Sequence, residues 1–251
     1  MREIQSRQNE EIKAITKLKM QKERKSQQKF LAQGLRVCKT LAQSILPEAI
    51  YCTTHMLEKA KTIVPPEKTK EIIVLVSDPV MEKISTTTTP SGIVGLFPIA
   101  KNPSLDTLSS GIVLANISNP GNMGTLIRTC AAMGFKSVVL VEGADPFGPK
   151  VIQASAGQIA NVNIFSLYWE KLLEHKKNLK LVALIVSGGK QPEQIDFKDS
   201  LLIIGSEAHG IPENWVTDCD ERLTLPMPGK TESLNAAVAG SIAMYLASQL
   251  S

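Results

Sequence analysis

Residues 201–212, LLIIGSEAHGIP, and residues 225–250, LPMPGKTESLNAAVAGSIAMYLASQL, decide how this chain is to be read. Leu201 to Ile204 are four apolar residues in succession, the pattern of a strand covered on both faces of a parallel sheet. Gly205 and Gly210 bracket Ser206, Glu207, Ala208 and His209, a loop that can bring backbone close to a ligand without Cβ hindrance. Pro226, Pro228 and Gly229 stiffen a second loop, and Ser233 is the expected cap of the small-residue helix after it. Two loops thus leave strands at their C-terminal ends, where open α/β sheets hold ligands.

Working back from there, IVLAN (112–116), SVVLV (137–141), NVNIF (161–165) and LVALIV (181–186) are further apolar runs of strand length. Helices are expected between them over 125–133, 150–158 and 168–177, with short pieces near 212–216 and a strand at RLTLP (222–226). SNPGNMG (118–124) reads as a tight loop. Strict alternation of strand and helix predicts an α/β parallel sheet with both faces covered. AKNPSLDTLSS (100–110) is polar and contains proline, and reads as a linker. It separates an expected catalytic domain, 111–251, from a smaller α/β domain, 1–99.

Within 1–99, Ile4, Ile12, Ile15 and Leu18 suggest one helix over 4–22 with a thin apolar stripe. KERKSQQ (22–28) reads as a charged turn. Strands are expected at 29–33, 49–54, 71–76 and 92–98, and helices at 35–44, 55–62 and from Pro79, with Asp78 as cap.

The motifs carry a resemblance. IGSEAHGIP (204–212), LPMPGKTESLNAAVA (225–239) and NISNPGNMGTLIRT (116–129) resemble, in order and spacing, the three signature motifs of the knotted SPOUT-class RNA ribose methyltransferases, the TrmH-like family. FLAQGLRV (30–37) and TPSGIVGLFP (89–98) resemble pieces of the small ribosomal-protein-like α/β RNA-binding domain that many members carry. Periodicity alone predicts an ordinary doubly wound sheet, since chain knots are nearly absent from proteins. The resemblance implies instead that the C-terminal segment threads a loop to make a trefoil knot.

What the resemblance implies for chemistry can be assigned residue by residue. The methyl donor is S-adenosylmethionine, held mainly by backbone at Ile204, Gly205, Glu207, Gly210, Leu225, Met227, Ser233 and Leu234. From the residues alone, Ile204, Leu225 and Leu234 are equally well core side chains, and the glycines equally well turns. Catalytic roles fall on Arg128, Asn122, Glu207, Ser233 and Asn235. The family assigns Arg128 to the 2′-hydroxyl proton. A guanidinium stays charged at ordinary pH, so holding the target phosphate or stabilising the developing alkoxide is physically easier. Asn122 either orients Arg128 or the ribose or caps its helix, and Glu207 either positions substrate or sits in solvent. His209 occupies a position where family members vary and is a candidate RNA-facing residue. The small residues of 233–250 suit close helix approach, within the chain or in the homodimer the resemblance implies.

Charge distribution bears on the partner. Residues 1–39 hold eleven Lys/Arg against four Asp/Glu, while the rest of the chain is slightly acidic, so the net charge of +4 comes from the N-terminal end. Such an excess suits contact with an RNA backbone, and Arg7, Lys13, Arg24, Lys25, Lys29, Arg36 and Arg128 are the expected contacts. Aromatic residues make up 4% of the chain, too few for a base-stacking platform. Cys38, Cys52, Cys130 and Cys219 are scattered without a histidine partner, which predicts reduced, mostly buried thiols and no metal site. No run reaches membrane-span length and the first residues are charged, so a cytoplasmic protein is expected. Neither a dinucleotide-binding nor a phosphate-loop glycine motif is present. These readings converge on an S-adenosylmethionine-dependent RNA 2′-O-ribose methyltransferase acting on ribosomal RNA, the added N-terminal domain favouring that substrate by analogy. A tRNA ribose methyltransferase, or a catalytically silent RNA-binding or ribosome-assembly factor, stands as the alternative.

Overall fold

The computed structural model describes residues 1–87, 89–229 and 232–250. The chain forms two compact units, Met1–Lys101 with Asp145–Ala160, and Asn102–Ala144 with Asn161–Ser251.

The first stretch runs β1 (Arg2–Ile4), α1 (Glu10–Lys17), α2 (Gln21–Gln27), β2 (Lys29–Gln33), α3 (Leu35–Ala42), β3 (Ala49–Cys52), α4 (Leu57–Lys61), α5 (Thr69–Ile72), β4 (Ile73–Val76), α6 (Asp78–Ile84) and β5 (Ile93–Pro98). The five strands make one mixed sheet in the order β1-β4-β3-β5-β2, with β5 antiparallel to both neighbours. Ile12, Ile15 and Leu18 cover one face of it together with Leu31, Tyr51, Val74 and Leu96.

Three expectations for this unit are corrected. The stretch 4–22 is not one helix: Ile4 pairs with Val76 in a parallel strand. The helix begins only where the Asn9 carboxamide accepts from Glu11 N and Ile12 N. KERKSQQ is not a turn but the body of α2. Its Lys, Glu, Arg and Gln are good helix formers, and Gln28 ends it in the left-handed conformation at φ 52°. Before α6 the cap position falls on Ser77, one residue ahead of Asp78, and no side-chain bond is made there.

The chain continues with β6 (Gly111–Ala115), α7 (Pro120–Ala132), β7 (Ser137–Val141), α8 (Pro149–Ala154), β8 (Asn163–Ser166), α9 (Trp169–His175), β9 (Lys180–Leu184), β10 (Ser200–Ile204), α10 (Glu213–Thr217), β11 (Glu221–Leu223) and α11 (Ala236–Leu250). Its six strands are all parallel, in the order β11-β9-β10-β6-β7-β8. Every residue of β6, β7 and β10 is buried, as runs without alternation require. Here too a loop is corrected: the helix starts at Pro120, not Thr125. Asn119 accepts from Gly121 N and Asn122 N, and proline is at home in a first turn. Asn122 is therefore a helix residue.

α11 packs on α7 and β10. The approach depends on Gly240: a methyl group there would lie 2.6 Å from Leu126 Cδ2 and 2.7 Å from Ile204 Cδ1. The small residues of this helix thus serve packing within the chain on one side.

α8 belongs to the first unit, where it packs against β2. Phe147, just before it, packs on Phe30 with ring centroids 5.4 Å apart and the rings tilted by 39°. Beside this contact lies a buried ion pair. Arg24, only 5% exposed, donates to Asp145 Oδ2 through Nε (2.8 Å) and Nη2 (2.6 Å). Its Nη1 donates to the carbonyls of Leu18 (2.7 Å) and Lys19 (2.9 Å). Removing one partner of a buried, hydrogen-bonded pair leaves the other charge unsolvated. Asp145→Ala is therefore expected to lower the unfolding free energy by about 3–5 kcal/mol in urea titration. A loss under about 1 kcal/mol, the range of an exposed pair, would contradict the burial.

Candidate active site

The parallel register places Ile204 beside Leu114, so the chain leaves β10 and β6 side by side. After β10, Ser206 and Gly210 exchange both backbone hydrogen bonds (3.1 and 3.0 Å), which folds 206–210 into a closed loop. Gly205 makes that closure possible: a Cβ there would lie 2.3 Å from the carbonyl carbon of Gly210. The His209 amide donates to Ser206 Oγ at 3.2 Å, tightening the same turn.

This loop forms one wall of a cavity of about 380 Å³ in the second unit. Ile204, Gly205, Glu207, Gly210, Leu225, Met227, Ser233 and Leu234, the eight residues expected to hold a donor, all line it. Ile204 and Leu225 are buried, so their side chains are also core. The sequence reading missed the third wall, Leu184 to Val186 at the end of β9. The signal was present: Gly188-Gly189 comes two residues after that apolar run, as Gly205 follows Ile204. Ala208, His209, Ala236 and Ala239 line the cavity as well. Lys230 and Thr231 of the third motif lie outside the described residues.

Three motif residues meet at the cavity's edge. Asn122 donates through Nδ2 to Glu207 Oε1 at 2.5 Å. Asn235 donates through Nδ2 to Asn122 Oδ1 at 3.3 Å. The Asn235 side-chain Oδ1 accepts from Ala237 N (2.9 Å) and Val238 N (3.3 Å), so Asn235 caps α11. That corrects the expectation that Ser233 does so; Ser233 instead faces the cavity. Each amide is fixed at both ends, and the chain of bonds ends on the carboxylate that lines the cavity.

Arg128 stands apart from this group. It lies six residues along α7 from Asn122, about 240° around the helix and about 9 Å along its axis. It is exposed, is not among the cavity-lining residues and has no ion-pair partner among the described residues. Asn122 is bonded to Glu207 and Asn235 rather than to Arg128.

The expected RNA-contacting cations divide into three groups. Arg24 is corrected outright, since it is buried against Asp145. Arg7, Lys13 and Lys29 are ion-paired with Glu82, Glu10 and Glu48. Lys25 and Arg36 are exposed and without such a partner among the described residues. The four cysteines are free thiols; burial pushes Cys38, Cys130 and Cys219 up to about 12 and Cys52 to about 11, leaving them unreactive at neutral pH.

Comparison with known proteins gives the family. The SpoU rRNA methylase family matches residues 109–245, and an MRM3-like substrate-binding domain matches residues 9–95. The chain belongs to the SpoU rRNA methylase family. SpoU relatives include the Bacillus subtilis 23S rRNA (guanosine(2553)-2′-O)-methyltransferase RlmP, 28% identical over 250 residues that cover 98% of each chain. A solved RNA 2′-O ribose methyltransferase superposes with a TM-score of 0.81 at 26% identity, covering 99% of this chain and 98% of the other. An S-adenosylmethionine-bound rRNA methyltransferase from Sinorhizobium meliloti shares the fold, with a TM-score of 0.86 at 24% identity over 99% and 97% of the two chains. The α/β architecture expected from the motifs is therefore that of SpoU enzymes.

Asn235→Ala is expected to cost about 1 kcal/mol through the lost cap, measured by denaturant unfolding. Asn235→Ser, which can still cap, is expected to recover most of it; equal losses in both would remove the cap from the account.

Proposed function

We propose that this protein transfers a methyl group from S-adenosylmethionine to a ribose 2′-hydroxyl of ribosomal RNA. The observation that carries the reading is the joining of the cavity to the Asn235–Asn122–Glu207 chain through one carboxylate. The residues present fit the donor. Val186, Met227 and Leu234 offer apolar surface for adenine, and the 205–210 loop offers backbone groups beside it. The Glu207 carboxylate suits a cationic sulfonium. When bound, S-adenosylmethionine supplies a methyl group that is already activated. The chain's own share is alignment: Asn122 and Asn235, locked at both ends, hold the ribose edge in a fixed orientation. RNA as substrate agrees with the full-length likeness to RlmP and with the substrate-binding domain match. A cytoplasmic location agrees with ribosomal RNA as substrate, and no helix among the described residues is long and apolar enough to cross a membrane.

Three finer assignments belong to this reading. Val238, Ile242 and Tyr245 are exposed on α11 at i, i+4 and i+7 spacing, an apolar stripe that suits a homodimer contact. Arg128 then serves the cavity of the second copy, where its fixed charge stabilises the developing alkoxide or grips the neighbouring phosphate. The knot is supported by topology: β11 is at the sheet edge while α11 packs on β10, so the chain crosses back past β9 after Leu223.

Gly205→Ala is expected to weaken S-adenosylmethionine binding at least about tenfold, about 1.4 kcal/mol, by forcing the 205–210 loop open; titration calorimetry measures it. Arg128→Ala is expected to abolish methyl transfer while donor binding stays within about twofold of the parent, well under 1.4 kcal/mol. Co-expressing Gly205→Ala with Arg128→Ala, assayed at a donor concentration too low for Gly205→Ala alone to transfer methyl, distinguishes the assignments. Mixed dimers hold one intact cavity facing one intact Arg128 and recover transfer if the arginine acts across the interface. No recovery would place Arg128 in its own chain's site.

A further inference from the structure

The first unit distributes its carboxylates unevenly. On the helices that carry acidic residues, and along the β1 side, several cations are matched: Arg2 with Glu11, Arg7 with Glu82, Lys13 with Glu10, Lys61 with Glu58 and Lys68 with Glu71. Lys17, Lys59 and Lys70 on those helices have no ion-pair partner among the described residues, and at the opposite edge Lys29 of β2 pairs with Glu48. The other edge of the sheet is β2, against which α2, α3 and α8 pack. α3 (LRVCKTLA) and α8 (PKVIQA) contain no acidic residue, and the single carboxylate of α2, Glu23, accepts from Gln27. Lys22, Lys25, Arg36, Lys39 and Lys150 on these helices are exposed and have no ion-pair partner among the described residues.

The three helices that carry these five cations are neighbours. Arg24 of α2 is stapled to Asp145 just before α8, with its Nη2 3.9 Å from the position a Gly148 Cβ would take. Just after α8, Gly157 approaches α3 so closely that a Cβ would lie 2.8 Å from the Val37 carbonyl oxygen and 3.1 Å from Thr40 Cβ. α8 is thus held between α2 and α3. Lys22 and Lys25 are three residues apart, as are Arg36 and Lys39, so each pair shares a helix face. Arg24, between the first two, turns inward and fixes the helix that presents them.

We propose that the surface formed by α2, α8 and α3 along the β2 edge is where the phosphate backbone of the RNA substrate docks, through Lys22, Lys25, Arg36, Lys39 and Lys150. This deepens the RNA-methyltransferase reading and rests on it. Unpaired cations are the ones whose counterions RNA phosphates release; a cation already paired with a carboxylate gains less from a phosphate and carries the carboxylate's repulsion with it. The surface is backbone-reading, since no exposed aromatic side chain lies among these helices.

The test is RNA affinity against salt. A fluorescein-labelled RNA hairpin with a single-stranded loop is titrated with the full-length protein at a series of KCl concentrations. Two charge-matched variants are compared: Lys22→Gln/Lys25→Gln/Arg36→Gln/Lys39→Gln, and Arg7→Gln/Lys13→Gln/Lys61→Gln/Lys68→Gln. Each lost phosphate contact lowers the slope of log affinity on log salt by about 0.7–0.9. The first variant is expected to lose about 3 from the slope and at least about tenfold in affinity, with Lys150→Gln lowering the slope further when added. The second is expected to keep the parent's slope. Thermal midpoints and S-adenosylmethionine binding unchanged in both would show that fold and cavity are intact. Equal slopes for the two variants, or a parent that binds the hairpin without salt dependence, would overturn the proposal. Failure of the enzymatic reading shows separately, as a parent protein that binds RNA along this surface yet transfers no methyl group to ribosomal RNA.

Discussion

Asn122 is held from two sides, by the Glu207 carboxylate and by the Asn235 carboxamide, and the site depends on that double hold. The three residues come from three separate segments of the chain. They meet because β6 and β10 are adjacent parallel strands whose C-terminal ends lie level, and because α11 returns to pack on the helix after β6. A side chain larger than hydrogen at Gly240 would push α11 away from Leu126 and Ile204 and carry Asn235 with it. The packing of two helices therefore sets the geometry of a polar chain at the cavity's edge.

The first unit follows the same principle with charge in place of amides. Arg24 and Asp145 are costly to bury singly and are satisfied only together, with two carbonyls taking the remaining guanidinium donors. Their pairing docks the 145–148 segment, brings Phe147 onto Phe30 and sets α8 against the sheet edge. A residue that composition assigns to the RNA surface instead builds the surface on which its neighbours Lys22 and Lys25 stand.

Much of this was legible in the sequence. The apolar runs read at 112–116, 137–141 and 201–204 fall in buried central strands, because a strand covered on both faces shows no alternation to misread. The glycines that bracket 206–209 could be read as a place of close backbone approach, and Ser206 and Gly210 do close the loop there. What failed has identifiable causes. The first turn of α7 was hidden by Pro120 and Gly121, which break helices in their interior but not at the first position. α2 was hidden by its charge, since α2 has no apolar stripe to betray it. The cap moved from Ser233 to Asn235, because both residues can cap and only the packing of α11 decides between them. The fate of Arg24 depended on Asp145, more than a hundred residues away, which no local pattern reports. The same holds for Arg7 and Lys13: exposure can be guessed from a sequence, but ion pairing cannot.

The most direct test of the central claim is to incubate the purified protein with methyl-labelled S-adenosylmethionine and ribosomal RNA lacking the host's own modification, digest the RNA and identify the labelled nucleoside. The account predicts label in a 2′-O-methylated nucleoside from ribosomal RNA, lost when Arg128 is replaced. Label on a base rather than a ribose, or label confined to tRNA, would contradict it; so would failure to bind the donor at all.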